Sequence, residues 1–419
     1  MPAYPSPISF TTLRWRLFFT LALMYILVYF YRVSLAVVSA DVSRDLALTP
    51  QQLGMLAGIL FYVYAVAQIP LGPLIDRAGP RRVIAGCGVL TTMGGILFAR
   101  AGTLSTALAG RVLIGIGTAA VLMATFTIFS HWYSRQEFGK VSGLMVAVGN
   151  LGNLAGTAPL AFAVGIMGWR SSFLWIALLQ GLVTLLIFLK VQDRPPQPLE
   201  QESSEPLEKP GMLAAWGVIA RDRSFWLLAA IAFCWYGNYL AVQGLWGGPF
   251  LMQVIGLSRQ AAGKMLMFTS VGFIIGSMVT DWTARRLFHS YSRTLLAGQC
   301  ILVLLMTGFL GWLPLLPHWS LGFYFLGIGL AVSTGVMIYP IIRATVPVSM
   351  VGTGLTSLNF FVLMGAAVSQ QGMGVVIAQC GGYTMEGFRA AFSLPVGLLL
   401  LTSLTFLFAR NCPAGATAR

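Results

Sequence analysis

The chain alternates long apolar runs with short polar segments over almost its whole length. A helix needs about 20 predominantly apolar residues to cross the hydrocarbon core of a bilayer. Runs of about that size occur at 17–40, 53–75, 83–100, 104–130, 141–167, 171–191, 224–251, 261–280, 294–313, 321–342, 350–378 and 388–409. The pattern therefore predicts an all-α membrane protein with twelve transmembrane helices.

Composition and charge exclude a wholly soluble protein. Hydrophobic residues make up 57% of the chain and charged residues only 9%, whereas soluble domains carry about 25% charged residues. The net charge of +14 does not indicate a nucleic-acid partner, because the basic residues alternate by loop. With a cytoplasmic N-terminus, eighteen of them lie in inside segments and six in outside segments, which is the positive-inside bias. We expect a multi-pass protein of the bacterial inner membrane, surrounded by lipid, with both termini cytoplasmic.

One long polar stretch divides the chain into two parts. Residues 193–212 are rich in Pro and Glu and cannot bury enough apolar surface to pack. They predict a cytoplasmic linker between an N-terminal six-helix half, residues 1–192, and a C-terminal six-helix half, residues 213–419.

Short sequence motifs of the first half recur in the second half. Asp76 followed by Arg81 recurs as Asp281 followed by Arg285, and other short motifs recur at a nearly constant offset. Such internal repetition indicates a duplicated unit. Two parallel six-helix repeats are typical of carriers whose substrate site lies between the halves near the bilayer midplane.

The segment between the second and third runs reads Gly72-Pro-Leu-Ile-Asp76-Arg77-Ala-Gly79-Pro-Arg81-Arg82. It resembles the signature loop of the major facilitator superfamily, and Arg111 with Gly115 and Gly117 resembles that family's second motif. The resemblance implies a secondary transporter that works by alternating access, and we expect a monomer. It also implies that the loop is a conformational latch, formed by Gly72, Asp76, Arg77 and Arg81 and, in the second repeat, by Asp281 and Arg285.

The latch has a physical basis in the position of Asp76 at a helix end. A carboxylate there can accept hydrogen bonds from Arg81 and from a neighbouring helix N-terminus. The alternative is that the arginines of the loop only anchor the topology. For Arg111 a structural role and a coupling role stay equally open.

Ionisable side chains inside a bilayer are costly and are functional candidates by default. Arg32 and Arg111 are the basic residues that fall within the apolar runs away from their ends. Tyr25, Tyr29 and Arg32 recur at helical spacing and give the first helix an aromatic, cationic stripe. We expect Arg32 to face the central cavity and to hold a carboxylate or phosphate, the alternative being an arginine satisfied by neighbouring carbonyl groups.

Acidic residues are absent from the predicted helix cores, since Asp41 and Asp45 follow the first run and Glu386 precedes the last. A proton-driven carrier usually needs a buried carboxylate or histidine to titrate. Proton-driven export of cationic drugs is therefore disfavoured. An anion exchanger, a uniporter, or a symporter whose proton travels on the substrate fits better.

Polar residues at helical spacing inside the apolar runs are further candidates for the cavity wall. Polar side chains also hold membrane helices together, so a purely structural role is the alternative for each. Besides Arg32, the predicted substrate-binding residues are Tyr25, Tyr29, Tyr62, Gln68, Asn150, Tyr236, Tyr239, Gln243 and Asn359, and a wider set includes Asn153, Asn238 and Tyr339.

Two anion-carrying branches of the superfamily look similar, and the chain departs from each at one position. Tyr31-Arg32 resembles the first-helix arginine of organophosphate antiporters, but the stretch from Tyr239 to Gln243 lacks their second basic residue. The stretch around Asn150 resembles the fifth helix of nitrate carriers, whose second-helix arginine is replaced here by Gln68. A single inward arginine suits a monoanionic or zwitterionic organic solute.

Three functions stay open at this point: uptake or exchange of a small organic anion, export of a metabolite or drug, and a non-transporting membrane receptor. The five cysteines and three histidines are scattered without paired spacing, so we expect neither a metal site nor a cofactor. No nucleophile and base set indicates an enzyme.

Overall fold

The computed structural model describes residues 10–195, 212–347 and 350–408, which fold into helices with no strand among them. The helix bounds are Phe10–Val33 continued by Leu35–Asp45 for α1, Pro50–Ala78 for α2, Pro80–Ala99 for α3, Leu104–Trp132 for α4, Arg223–Val254 for α7, Arg259–Arg286 for α8, Tyr291–Leu310 for α9, His318–Thr345 for α10, Val351–Gln379 for α11 and Met385–Phe408 for α12. A short helix, Met212–Ile219, precedes α7. Most of the predicted linker lies outside the described residues.

Helices α5 and α6 follow one another without a loop. They comprise Arg135–Gly149, Leu151–Ala155 and Ala158–Lys190, and the backbone leaves helical geometry at Gly168, with φ of 77°. We divide them there into α5, residues 135–167, and α6, residues 169–190. The described chain has eleven segments long and apolar enough to span a membrane, but Gln136–Lys190 has 55 residues, enough for two crossings of about 20 residues each. The predicted twelve-helix fold is confirmed.

Several helices begin at signals that the sequence carries. Thr49 and Gln52 form a capping box at the start of α2, with Pro50 in the first turn, and Thr103 and Thr106 do the same for α4. These side chains satisfy backbone N–H groups that have no partner within the helix. They fix the first residues of these two helices.

The end of α1 corrects the sequence-based boundary. The apolar run predicts that the first helix ends at residue 40, whereas in the structure a second helical segment follows Ser34 and ends at Asp45. Asp41 consequently lies within the last turns of a helix and is only 6% exposed. Polar residues near a helix end resemble loop residues in a sequence, although tertiary contacts can extend the helix through them.

The bundle has two faces, the linker face and the far face. The linker face carries the α2–α3 turn at Gly79 and residues 191–195. The far face carries the α1–α2 turn at 46–49. Asp76 and Asp281 both lie in the last turns of the second helix of their halves, α2 and α8, and so belong to the same, linker face.

The halves α1–α6 and α7–α12 approach each other closely toward the far face. A Cβ atom on Gly374 of α11 would lie 2.6 Å from the carbonyl oxygen of Pro50 at the start of α2, and one on Gly263 of α8 would lie 2.8 Å from Cβ of Ala161 on α5. Glycine therefore permits backbone contact that any side chain would block.

Candidate functional site

Arg32 is buried in the middle of the bundle with 8% exposure. Its guanidinium carbon lies 4.7 Å from the ring centre of Tyr29 and 4.9 Å from that of Tyr64. It forms no ion pair with any carboxylate of the described residues, and its Nε has no hydrogen-bond partner among them. The two rings therefore stabilise the cation by cation–π contact without neutralising its charge.

Tyrosines from both halves surround this arginine. Tyr25 and Tyr29 of α1 hold each other by a 3.3 Å hydroxyl contact, and the guanidinium of Arg32 interacts with the hydroxyl groups of Tyr64 on α2 and Tyr236 on α7. Tyr239 joins the group through Tyr236, their ring centres being 5.8 Å apart, and Tyr339 lies within electrostatic range of Arg32 and Tyr236. We call Tyr25, Tyr29, Tyr64, Tyr236, Tyr239 and Tyr339 the tyrosine cage. A caged, unneutralised cation between two six-helix halves is suited to bind an anion.

The structure brings together part of the predicted site. Tyr25, Tyr29, Tyr236 and Tyr239 join Arg32 in the cage. Tyr62 is not part of the cage. It lies two residues before Tyr64 on α2, so its side chain points about 200° away from that of Tyr64, and it is half-buried. Tyr64 is the member that the sequence analysis missed, since the pattern of α2 does not show which tyrosine faces inward.

The predicted amide side chains cross-link helices. Asn359 of α11 donates to Gln68 of α2 at 3.1 Å across the two halves, and Gln243 of α7 donates to Ser270 of α8 at 2.9 Å. The amide nitrogen of Asn153 donates to the amide oxygen of Asn150 at 3.1 Å. The same nitrogen lies 3.5 Å from the hydroxyl oxygen of Tyr239. Asn150 thus bonds within α5, whereas Gln68, Gln243 and Asn359 hold neighbouring helices together. The buried Oε1 of Gln243 lacks a partner among the described residues.

Arg111 has the contacts of a structural arginine. It is 1% exposed, and it donates from Nε to the carbonyl oxygen of Leu56 at 3.2 Å and from Nη1 to that of Tyr31 at 3.1 Å. Tyr31 directly precedes Arg32, so Arg111 ties α4 to the backbone of α1 and α2 beside the cage. Its role in coupling stays a prediction.

The predicted latch residues lie at the linker face, and the pair Asp76–Arg81 is not formed in this conformation. Asp76 is exposed and makes no ion pair with a described residue. Arg81 instead donates to the carbonyl oxygen of Phe188, and its backbone N–H donates to Asp193 at 2.7 Å. Gly72 and Arg77 adjoin them at the end of α2. In the second half, Arg285 pairs with Asp281 at 2.9 Å one turn away on α8.

An ionic contact at the far face was missed from sequence. Arg259 of α8 pairs with Asp41 of α1, and Asp45 accepts from Trp169 at 3.0 Å and from Arg170. The apolar pattern places both acidic residues after the end of the first helix, and nothing in their spacing indicates that α8 begins beside them.

Comparison with known proteins agrees with this architecture. The family model described as Major Facilitator Superfamily matches residues 21–370. A probable L-galactonate transporter of Escherichia coli K12 is 26% identical over 293 residues, which are 66% of this chain and 62% of that relative. The membrane sensor protein UhpC of the same organism is 22% identical over 95% of this chain and 93% of its own length.

The fold is also that of a solved structure. A bacterial homologue of the human lysosomal transporter Spinster, in an inward-facing and unoccupied conformation, has a TM-score of 0.78 and 18% identity, over 96% of this chain and 97% of that one. The family match covers most of the chain, and the resemblance drawn from the signature loop is confirmed. The chain belongs to the Major Facilitator Superfamily.

Proposed function

We propose that this protein is an alternating-access secondary transporter of a small organic monoanion, with Arg32 as the contact for the substrate's charge. The observation that carries the proposal is the burial of Arg32 among tyrosines of both halves without a carboxylate partner in the described residues. A buried cation without a counter-ion is costly, even where aromatic rings offset part of the cost. Binding an anion removes that cost.

The charge balance of the site favours a single negative charge. A dianion would leave one charge unmatched, because the other buried arginine, Arg111, already donates to two carbonyl groups. A zwitterion would bring an ammonium group, and the buried carboxylate of Asp41 is already paired with Arg259 at the far face. A monocarboxylate is therefore a better match than a phosphate dianion or an amino acid.

The tyrosine cage also suits a substrate that carries hydroxyl groups. Phenolic hydroxyls both donate and accept hydrogen bonds, so several of them around one guanidinium can bind a hydroxylated carboxylate at more than one point. The L-galactonate named for the Escherichia coli relative has this chemistry. The name supports the proposal, and the match spans 62% of that relative.

The close packing of the two halves at the far face, at Gly374 and Gly263, supports a carrier that is closed on that side and whose cavity opens toward the linker. With the positive-inside orientation, that opening is cytoplasmic. Uniport, exchange and symport of a proton carried on the substrate are all compatible with a site whose charge comes from Arg32. Export of a metabolite is the alternative direction, and flux measured in both directions in vesicles distinguishes it.

The test is a thermal-stabilisation screen of the purified protein with monocarboxylates, dicarboxylates, phosphate esters, amino acids and neutral sugars. A bound ligand raises the apparent stability by mass action. We expect stabilisation by a hydroxylated monocarboxylate in the parent and none in Arg32→Gln. Arg16→Gln, which removes an exposed arginine of the same helix, should respond like the parent. Equal stabilisation of Arg32→Gln would overturn the proposed site.

A sensor is the second candidate, because UhpC matches this chain over almost its whole length. A transporter moves its ligand across the membrane, whereas a sensor only binds it. Protein in sealed liposomes should accumulate or exchange the stabilising ligand if it is a transporter. Ligand-induced stabilisation without any flux would favour the sensor.

A further inference from the structure

A groove outside the central site lies on the surface between α3 and α6, with a volume of about 390 Å³. Helix α3 lines it with Arg82, Ala85, Gly86 and Val89, at the i, i+3, i+4 and i+7 spacing of one helix face. Helix α6 lines it at the same spacing, with positions 181, 184, 185 and 188. The groove therefore runs along both helices for about 10 Å, the rise of seven residues.

The walls of the groove are mainly apolar and lie on the outer surface of the bundle. Val89 is 50% exposed, Leu185 52% and Phe188 51%. Gly86 forms part of its floor, and a Cβ atom there would meet nothing within 4 Å. Glycine is less favourable than alanine inside a helix, and no close backbone approach requires it at this position. Its effect here is to keep the groove open.

One end of the groove is basic. Arg82 lies at the start of α3, on the linker face, and its side chain is exposed. Its neighbour Arg81 donates to the carbonyl oxygen of Phe188 and lies 5.2 Å from that ring, so Arg81 fastens α3 to α6 where the groove ends. Asp193 accepts from the backbone N–H of Arg81 at 2.7 Å, and Arg82 forms no ion pair with a described residue. Arg82 is thus available to a ligand at the depth of the headgroups.

We propose that this groove binds a phospholipid with an anionic headgroup, one acyl chain lying between α3 and α6 and the phosphate contacting Arg82. An apolar channel parallel to the helix axes matches the direction of an acyl chain in a bilayer. A guanidinium at its interfacial end matches a phosphate, with which it forms charge-assisted hydrogen bonds. A soluble anion would gain nothing from the apolar walls.

The experiment is native mass spectrometry of the purified full-length protein, titrated with phosphatidylglycerol or with phosphatidylcholine of identical acyl chains. The parent should bind phosphatidylglycerol about fivefold more tightly, the factor expected for one basic residue near an anionic headgroup. Arg82→Gln should abolish that preference. Gly86→Leu, which fills the groove without a backbone clash, should weaken the binding of both lipids.

Arg293→Gln is the matched control, because Arg293 is an exposed arginine near the start of α9, the third helix of the other half. It should leave the preference unchanged. The proposal is overturned if Arg293→Gln lowers the preference as much as Arg82→Gln does, which would indicate only a general basic surface. Unchanged binding of both lipids to Gly86→Leu would overturn it as well.

Discussion

Arg259 at the start of α8 donates to the carboxylate of Asp41 near the end of α1 at 2.6 Å, and this is the ion pair that joins the two halves among the described residues. Asp41 is 6% exposed, and Arg44 approaches the same oxygen at 3.4 Å. A charge-assisted hydrogen bond with a buried partner contributes more than a surface ion pair. The pair lies where the glycine contacts of the far face also bring the halves together, so it stabilises the far-face-closed conformation.

Replacing the cation of this pair should open the far face. Arg259→Gln leaves Asp41 buried with its neighbour Arg44 as the remaining cation, and a loss of about 1.5–3 kcal/mol would shift a two-state equilibrium by roughly tenfold or more. Labelling of single cysteines introduced at the far-face ends of α1 and α7 should become faster. Arg285→Gln is the control, since Arg285 pairs within α8 and is exposed. Equal labelling of Arg259→Gln and the parent would show that the pair does not hold the halves together.

Arg32→Lys should greatly weaken substrate binding, although it keeps the positive charge. An ammonium group lacks the planar fork that binds a carboxylate through two hydrogen bonds and stacks on aromatic faces, and Arg32 lies between the rings of Tyr29 and Tyr64. We expect the dissociation constant of the ligand found in the stabilisation screen to rise at least tenfold. Arg16→Lys controls for the general effect of the substitution. A lysine variant that binds and transports like the parent would exclude bidentate binding by Arg32.

The fold was predictable from sequence because it depends on hydrophobic length. The twelve apolar runs and the short polar turns between them follow from the bilayer itself, and the loop from Gly72 to Arg82 indicates the family. The inward position of Arg32 was also predictable, because a charge deep in a membrane helix must avoid lipid.

The rest of the site depends on helix rotation and on contacts between distant segments, which a single sequence does not determine. Which tyrosine of α2 faces the cage, Tyr62 or Tyr64, depends on the rotation of that helix about its axis. The pairing of Asp41 with Arg259 joins residues that lie 218 positions apart. With the end of the first helix predicted at residue 40, nothing in the sequence indicated that Asp41 lies within a helix.

Arg111 should prove a positioning residue for the cage rather than a substrate contact. Arg111→Leu would remove both hydrogen bonds, to Leu56 and Tyr31, and with them the link from α4 to α1 and α2; a hydrogen bond from a charged group contributes about 1.5–3 kcal/mol. We expect a lower melting temperature with and without ligand, a weaker affinity through the displaced backbone of Arg32, and an unchanged ratio of far-face to linker-face cysteine labelling. A changed ratio at unchanged melting temperature would instead assign Arg111 to coupling.

At the linker face, where the sequence predicts a latch, this conformation leaves Asp76 exposed and without an ion pair to the described residues. If Asp76 and Arg81 pair when that face closes, they stabilise the opposite conformation from the one held by Asp41 and Arg259. Asp76→Asn should then shift the equilibrium constant between the two conformations by roughly tenfold or more toward the one open at the linker face, for a pair worth about 1.5–3 kcal/mol. Binding at Arg32 should stay intact, because the central site is chemically unchanged.

Asp281→Asn is the matched comparison for this latch. Asp281 occupies the corresponding place in the second half but pairs with Arg285 on its own helix, and Trp282 and Ala284 follow it where the first copy has Arg77 and Gly79. Its loss should therefore shift the equilibrium less. Spin-label distances across the linker face, measured in both variants with and without ligand, would test the assignment. A larger shift in Asp281→Asn, or none in Asp76→Asn, would mean that the signature loop anchors the topology through its arginines and does not act as a latch.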